Sequence, residues 1–245
     1  MGDILKEGLI KIGFTDEQTK AFCPKLEQYI KEIILFNSAY NLTNTSDHDE
    51  LVVRHLLDSL AAYKALCDLT ENFADSGTAL NSVTSPESDD GAKTTEIRNS
   101  SFVAADIGSG GGLPGIPLAL VFPKIQFKLV ERMEKRCAFL ENCCALLGLK
   151  NVEVVNSEAE RIPHESFDFA VFRAFRPLDS KMTKTLLRII KKGGFLAAYK
   201  AKKTSIVEEM NGIKSIVPEY KVLPLEVPGL ENSERNLVII RKNEQ

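Results

Sequence analysis

The 245-residue sequence predicts an α/β protein: an open, mainly parallel sheet with helices on both faces, preceded by a helical region. Three observations carry that expectation. From residue 102 onward, short apolar runs alternate with longer amphipathic stretches at the spacing of strand–helix units. The first of those runs, Phe102 to Ala105, passes into a glycine-dense turn, Gly108-Ser-Gly-Gly-Gly112, and then into a helix opened by Pro114 and Pro117. Residues 3–67, in contrast, carry their apolar side chains at helical spacing only.

In the N-terminal region, Thr15-Asp-Glu-Gln18 reads as a capping box, and Leu26, Ile30, Ile33, Ile34 and Phe36 follow on one helical side. Pro24 is expected to kink or break the start of that helix. After the polar run Asn41-Leu-Thr-Asn-Thr-Ser46, residues 51–66 place apolar side chains at 53, 56, 57, 60 and 63. On the opposite side Arg54 and Asp58, and His55 and Ser59, stand four apart and so adjacent on a helix, which suits an exposed side as well as a functional stripe. Asp68 to Ser101 is rich in Ser, Thr, Asn, Asp and Gly and is expected to be a flexible surface excursion. The expected division is therefore a helical region over 1–67, a polar insertion over 68–101 and an α/β core over 102–245.

Within the core, strands are expected at 102–106, 125–131, 151–155, 167–172 and 194–199, with helices at 114–122, 135–147, 178–190 and 204–214. Such alternation implies right-handed crossovers. The last two strands, 220–227 and 236–241, flank Pro228-Gly229 and read as an antiparallel hairpin at the sheet edge.

The chemistry of the glycine turn separates two classes of nucleotide ligand. A dinucleotide fingerprint needs a third glycine where this chain has Leu113, and Asp106, just before Gly108 and Gly110, would repel a pyrophosphate. A cationic ligand without phosphate, S-adenosylmethionine, suits the same loop. Glu131 ends the next strand, placed to take two ribose hydroxyls. Beyond the third strand, Ala159 is small enough to admit an adenine, with Glu160 or nearby backbone at its edge. Arg173 ends the fourth strand, where guanidinium can meet a phosphate or a base. From Arg173 to Lys203 ten bases face one acid, Asp179, and this stretch reads either as a nucleic-acid footprint along the carboxyl side of the sheet or as a solvated surface.

The whole-chain numbers narrow the classes further. Between residues 68 and 98 seven acids stand against two bases, a net −5 that takes the rest of the chain from +2 to the formal −3. No apolar run approaches membrane length, and Met1-Gly-Asp-Ile-Leu-Lys lacks the apolar core of a signal peptide. Five cysteines, at 23, 67, 137, 143 and 144, lack metal-site spacing, so reduced thiols and a cytoplasmic location are expected, with no bound metal and no membrane.

Several of these motifs together resemble the bacterial 16S rRNA guanine-N7 methyltransferases of the glucose-inhibited division protein B family. The resemblance runs through Asn41-Leu-Thr43, Arg54-His-Leu-Leu-Asp58-Ser-Leu60, Asp106 to Pro117, Glu131 with Lys135-Arg136 and Phe139-Leu140, Ala159-Glu160 and Arg173-Ala-Phe175. It implies a Rossmann-like, seven-stranded class I methyltransferase sheet with its last strand antiparallel. It further implies S-adenosylmethionine as donor and 16S rRNA or the small ribosomal subunit as partner; a monomer is expected. Cofactor contacts then fall on Gly108, Leu113, Ala159, Glu160 and Arg173, joined by Asp106, Gly110 and Glu131. Substrate contacts are expected at Arg54, His55, Asp58, Arg173, Lys200 and Lys202. No general base is expected, and Arg173 is given the positioning role. The chain departs from the family pattern at Glu158, Arg161, Phe172 and Ala201. A methyltransferase with a small-molecule or protein acceptor is the alternative, and it would have no use for the basic stretch.

Overall fold

The computed structural model describes residues 2–75, 102–173 and 177–242. In chain order, α1 (Gly2–Ile12), α2 (Asp16–Tyr40), α3 (His48–Leu51), a π-helical stretch (Val52–Leu57), α4 (Asp58–Leu60) and α5 (Tyr63–Asp75) come first. The core follows as β1 (Val103–Ile107), α6 (Gly115–Val121), β2 (Gln126–Glu131), α7 (Glu134–Leu147), β3 (Val152–Asn156) and a short 3-10 turn (Ala159–Arg161). It ends with β4 (Phe167–Arg173), α8 (Ser180–Ile189), β5 (Ile190–Lys200), α9 (Lys203–Gly212), β6 (Lys221–Pro224) and β7 (Asn236–Arg241).

The strands form one seven-stranded sheet in the order β3-β2-β1-β4-β5-β7-β6. Strands β1 to β5 are mutually parallel, and β7 runs antiparallel between β5 and β6. The expected terminal hairpin is therefore present, with the last strand inserted inside the edge. Its first arm is shorter than predicted, because Pro224 ends the ladder and only the Leu225 amide still reaches across, to the Arg235 carbonyl.

Strand side chains alternate between two apolar layers. On one face Ala104, Phe127, Leu129, Phe169, Val171, Phe195, Ala197, Leu237 and Ile239 share a single core with α6, α7 and the N-terminal helices. On the other, Ala105, Ile107, Val130, Ala170, Phe172, Leu196, Ala198, Val238 and Ile240 pack against α8 and α9. The N-terminal helices thus join α6 and α7 in one of the two helical layers of the sheet.

Thr15 forms the predicted capping box with Gln18, its hydroxyl accepting from the Gln18 amide and the Gln18 carboxamide accepting from the Thr15 amide. Pro24 does not break the helix: α2 runs through it. A proline inside a helix costs about 3 kcal/mol, while burying Leu26, Ile30 and Ile33 returns roughly 1.5–3 kcal/mol each. Packing therefore prevails. Residues 68–75, expected within the flexible excursion, continue α5, where Leu69 packs on the core and the Thr70 hydroxyl bonds the Leu66 and Cys67 carbonyls. Residues 76–101 of that predicted excursion, and Ala174, Phe175 and Arg176 beyond the fourth strand, lie outside the described residues.

At the opposite end of the sheet from the glycine turn, the buried Asn151 carboxamide donates to the carbonyls of Ala119, Phe122 and Ile125 at 3.0–3.1 Å. It fastens the end of α6 to the entry of β2 and β3. Asn151→Ala should lower unfolding stability by about 1–3 kcal/mol, since buried carbonyls lose their donor. Urea denaturation followed by circular dichroism reads that loss as a lower midpoint with an unchanged slope.

Candidate active site

Because β1 to β4 are parallel, the loops that leave them open on one edge, the edge where ligands of open α/β sheets bind. Three neighbouring cavities lie along it. The first, about 440 Å³, is lined by Ile107, Gly108, Glu131, Met133, Arg136, Ala159 and Glu160 among others. The second, about 480 Å³, lies over the glycine turn from Gly108 to Leu113 and is walled by Thr43, Asn44, Arg54, His55, Asp58, Arg136 and Arg173. The third, about 290 Å³, holds Asp58, Phe172, Arg173, Tyr199, Lys200, Arg235 and Asn236. Gly108 and Arg136 border both the first and the second, and Asp58 and Arg173 both the second and the third.

The glycine turn is held from beneath and from the side by the two predicted carboxylates. Asp106 alternates onto the face covered by α6 and lines none of the three cavities; its Oδ2 accepts from the Gly115 amide at 2.9 Å and so caps α6. A Cβ on Gly115 would stand 2.6 Å from that oxygen, so glycine is required there. Burial pushes the Asp106 carboxyl up to about 7, against the opposing pull of the Gly115 amide and Arg173. Glu131 lines the first cavity, with Oε2 accepting from the Gly110 amide at 3.0 Å and Oε1 from the Met133 amide at 2.8 Å. The turn itself needs positive φ at Gly108, Gly110 and Gly112, at 71°, 56° and 87°.

Arg173 sits where the N-terminal layer meets the sheet. Its Nη1 donates to Asp58 Oδ2 at 2.9 Å and to the Arg54 and His55 carbonyls at 3.3 Å, while Nη2 donates to His55 Nδ1 at 3.1 Å. Since arginine only donates, His55 Nδ1 must accept and its proton lies on Nε2. Burial and the Arg173 charge lower His55 to about 4, so it is neutral at physiological pH. The other Asp58 oxygen accepts from Arg235 Nε at 3.0 Å.

The stripe expected on residues 54–59 is arranged differently from a regular helix. Residues 52–57 are π-helical, Arg54 pairs with Glu50 at 3.1 Å, Asp58 is only 5% exposed between its two arginines, and the Ser59 hydroxyl bonds the His55 carbonyl. The neighbouring loop is folded around Asn37, whose Oδ1 accepts from the Leu42 and Thr43 amides and whose Nδ2 donates to Thr45 and Ser46. Tyr29 donates to the Gly111 carbonyl, and Tyr199 to the Ser59 carbonyl at 2.7 Å, tying this layer to the turn and the sheet.

The basic stretch from 173 to 203 is split between the two ends of the sheet. Lys191 stands at the amino end of β5 paired with Asp168 at 2.9 Å, and Lys200 at its carboxyl end paired with Glu209 at 2.7 Å. The register of β5 against β4, with Ile190 opposite Phe167 and Tyr199 opposite Arg173, puts the two lysines roughly 20 Å apart along the sheet. Lys202 is exposed and borders none of the three cavities. Sequence reasoning did not assign a site role to Met133, Arg136, Arg235 or Asn236. Only Arg136 carried a signal, as a base five residues past Glu131 at the start of a helix.

The model of the GidB family, described as rRNA small subunit methyltransferase G, matches residues 22–79 and 89–238. A relative in Treponema denticola named ribosomal RNA small subunit methyltransferase G is 40% identical over 244 residues, spanning 98% of this chain and 94% of its own. The chain belongs to that family. A GidB relative of the same name in Treponema pallidum strain Nichols is 36% identical, over 97% of this chain and 92% of its own. Another in Neisseria meningitidis is 32% identical, over 97% of each chain. The sheet, with its antiparallel last strand, is the class I methyltransferase fold that the sequence resemblance implied.

The raised Asp106 carboxyl has a stability consequence of definite sign. Its folded-state value, about 7, lies above the ordinary carboxylate value near 3.9, so the folded state holds the extra proton between them. Its contribution is fully present below pH of about 4 and is lost as pH rises through about 7. Asp106→Asn, which keeps an acceptor for Gly115, should remove that component, so that its melting temperature gains on the wild type as pH rises across this window.

Proposed function

We propose that this protein transfers the methyl group of S-adenosylmethionine to N7 of a guanine in the 16S rRNA of the small ribosomal subunit. The observation that carries this reading is the row of three cavities on the carboxyl edge of a class I sheet, with a carboxylate-bearing slot at one end and a cluster of guanidinium groups at the other. The family membership fits it.

The residues present suit the cofactor. Glu131 faces the first cavity with both oxygens oriented by backbone amides, as a ribose diol requires, and Met133, 46% exposed, stands with buried Ala159 around a slot for adenine. Gly108, Gly110 and Leu113 border the adjoining cavity, where the sulfonium end would lie, and Glu160 borders the first. Asp106 acts through the turn it supports. When bound, S-adenosylmethionine supplies an electrophilic methyl group.

Guanine N7 has a lone pair and no proton, so the protein must orient the base and need not deprotonate it. Arg173, gripped by Asp58 and His55, presents a fixed guanidinium beside the donor, and Asp58 offsets part of its charge as the base becomes positive. Arg54, His55, Lys200 and the exposed Lys202 complete the proposed RNA contact, with Asp58 acting through the two arginines it holds. Neutral His55 acts as a hydrogen-bonding group. The reading includes a monomer working in the cytoplasm, in keeping with five free cysteines.

Arg173→Ala should lower the single-turnover rate by about 100-fold or more, as expected for lost positioning. His55→Asn should lose much less and keep the wild-type shape of the pH–rate profile from about 6 to 9, above the His55 value of about 4. A profile that changes shape in His55→Asn would mark a proton-transfer role instead.

The reading as a whole is tested by incubating small ribosomal subunits lacking the modification with methyl-labelled S-adenosylmethionine and analysing the nucleosides by mass spectrometry. Labelled 7-methylguanosine from 16S rRNA is expected. Label in another nucleoside, or none in RNA, would refute it.

A further inference from the structure

We propose that Arg136 receives the α-carboxylate of S-adenosylmethionine and joins the cofactor's tail to the 41–44 loop, a role that rests on the cofactor reading above. Arg136 lies in the first turn of α7 and, with Gly108, borders both the first and the second cavity. Its Nη1 comes within 3.9 Å of where a Cβ on Gly110 would stand, so the guanidinium overhangs the glycine turn. Nη2 donates to the Asn41 carbonyl at 2.8 Å, and Nε is buried without a hydrogen-bond partner among the described residues.

The other two guanidinium groups on the second cavity already face carboxylates, Arg54 with Glu50 and Arg173 with Asp58. Arg136 forms no such pair among the described residues. With ribose at Glu131 and adenine at Ala159, the amino-acid tail has to leave the first cavity past Gly108, where Arg136 stands. The carboxylate is the one anionic group of S-adenosylmethionine, and a guanidinium offers it two parallel donors. The same side chain holds Asn41, and Leu42 lies against Gly111, so the tail and the loop that carries Thr43 and Asn44 into the cavity meet on one cation.

This assignment predicts discrimination by the tail. In calorimetric titrations of the full chain, the wild type should bind S-adenosylhomocysteine more tightly than 5′-methylthioadenosine, which lacks the amino-acid end. Arg136→Gln should weaken S-adenosylhomocysteine about 10- to 100-fold, the range for a hydrogen bond to a charged group, and change 5′-methylthioadenosine by less than about twofold. Equal losses for both ligands would show that Arg136 only anchors the loop, and unchanged S-adenosylhomocysteine binding would likewise overturn the proposal. If Arg136→Gln does not fold, Arg136→Lys gives the same comparison, with selective loss expected and equal loss or none overturning it. A wild type that binds neither ligand would instead bring down the cofactor reading itself.

Discussion

A carboxylate that is 95% buried has to be neutralised or paired, and Asp58 is paired twice, by Arg173 from the end of β4 and by Arg235 from the residue before β7. Leaving such a charge alone in a protein interior costs several kcal/mol, and removing one partner of a buried pair costs about 3–5 kcal/mol. The rest of the carboxyl edge is built around that requirement. Meeting it fixes Arg173, Arg173 fixes the His55 ring and its tautomer, and the Asp58–Arg173 pair becomes the wall between the second and third cavities. Three segments far apart in the chain are thereby held in one place.

Alternation along the strands explains why the N-terminal helices take part. Asp106, Glu131, Arg173 and Tyr199 share the parity of Ala104, Leu129, Val171 and Ala197, the residues that face α6, α7 and the N-terminal helices. Polar groups on that face can reach only what covers it. Tyr199 bonds Ser59, Arg173 bonds the π-helical stretch, and Asp106 bonds the head of α6. The helical layer therefore walls the second cavity as well as packing the core.

The two acids that the sequence set side by side have separate duties, and electrostatics divides them. Asp106 is buried with one oxygen unpartnered among the described residues, an environment that favours the protonated form, and it supports the turn from below. Glu131 has both oxygens on backbone amides at the cavity floor, an arrangement suited to accepting from hydroxyls. Of the two carboxylates, only Glu131 borders a cavity.

The alternation of apolar runs, the capping box and the glycine turn were enough to determine the α/β class, nearly every strand and helix of the core, and Gly108, Glu131, Ala159 and Arg173 along one edge, because these follow from periodicity and backbone sterics. Propensity misjudged residues 68–75, and of the kink or break expected at Pro24 the break does not occur, since burial of neighbouring side chains outweighs the local preference for a break or a loop. Only the tertiary structure decided which groups meet. Asp58 and Arg235 are 177 residues apart, and Arg136 and Asn41 95 apart, separations at which sequence spacing carries no geometric information. The splitting of the basic stretch has the same cause: β5 carries Lys191 and Lys200 to opposite ends of the sheet, so residues close in the chain end up far apart in space.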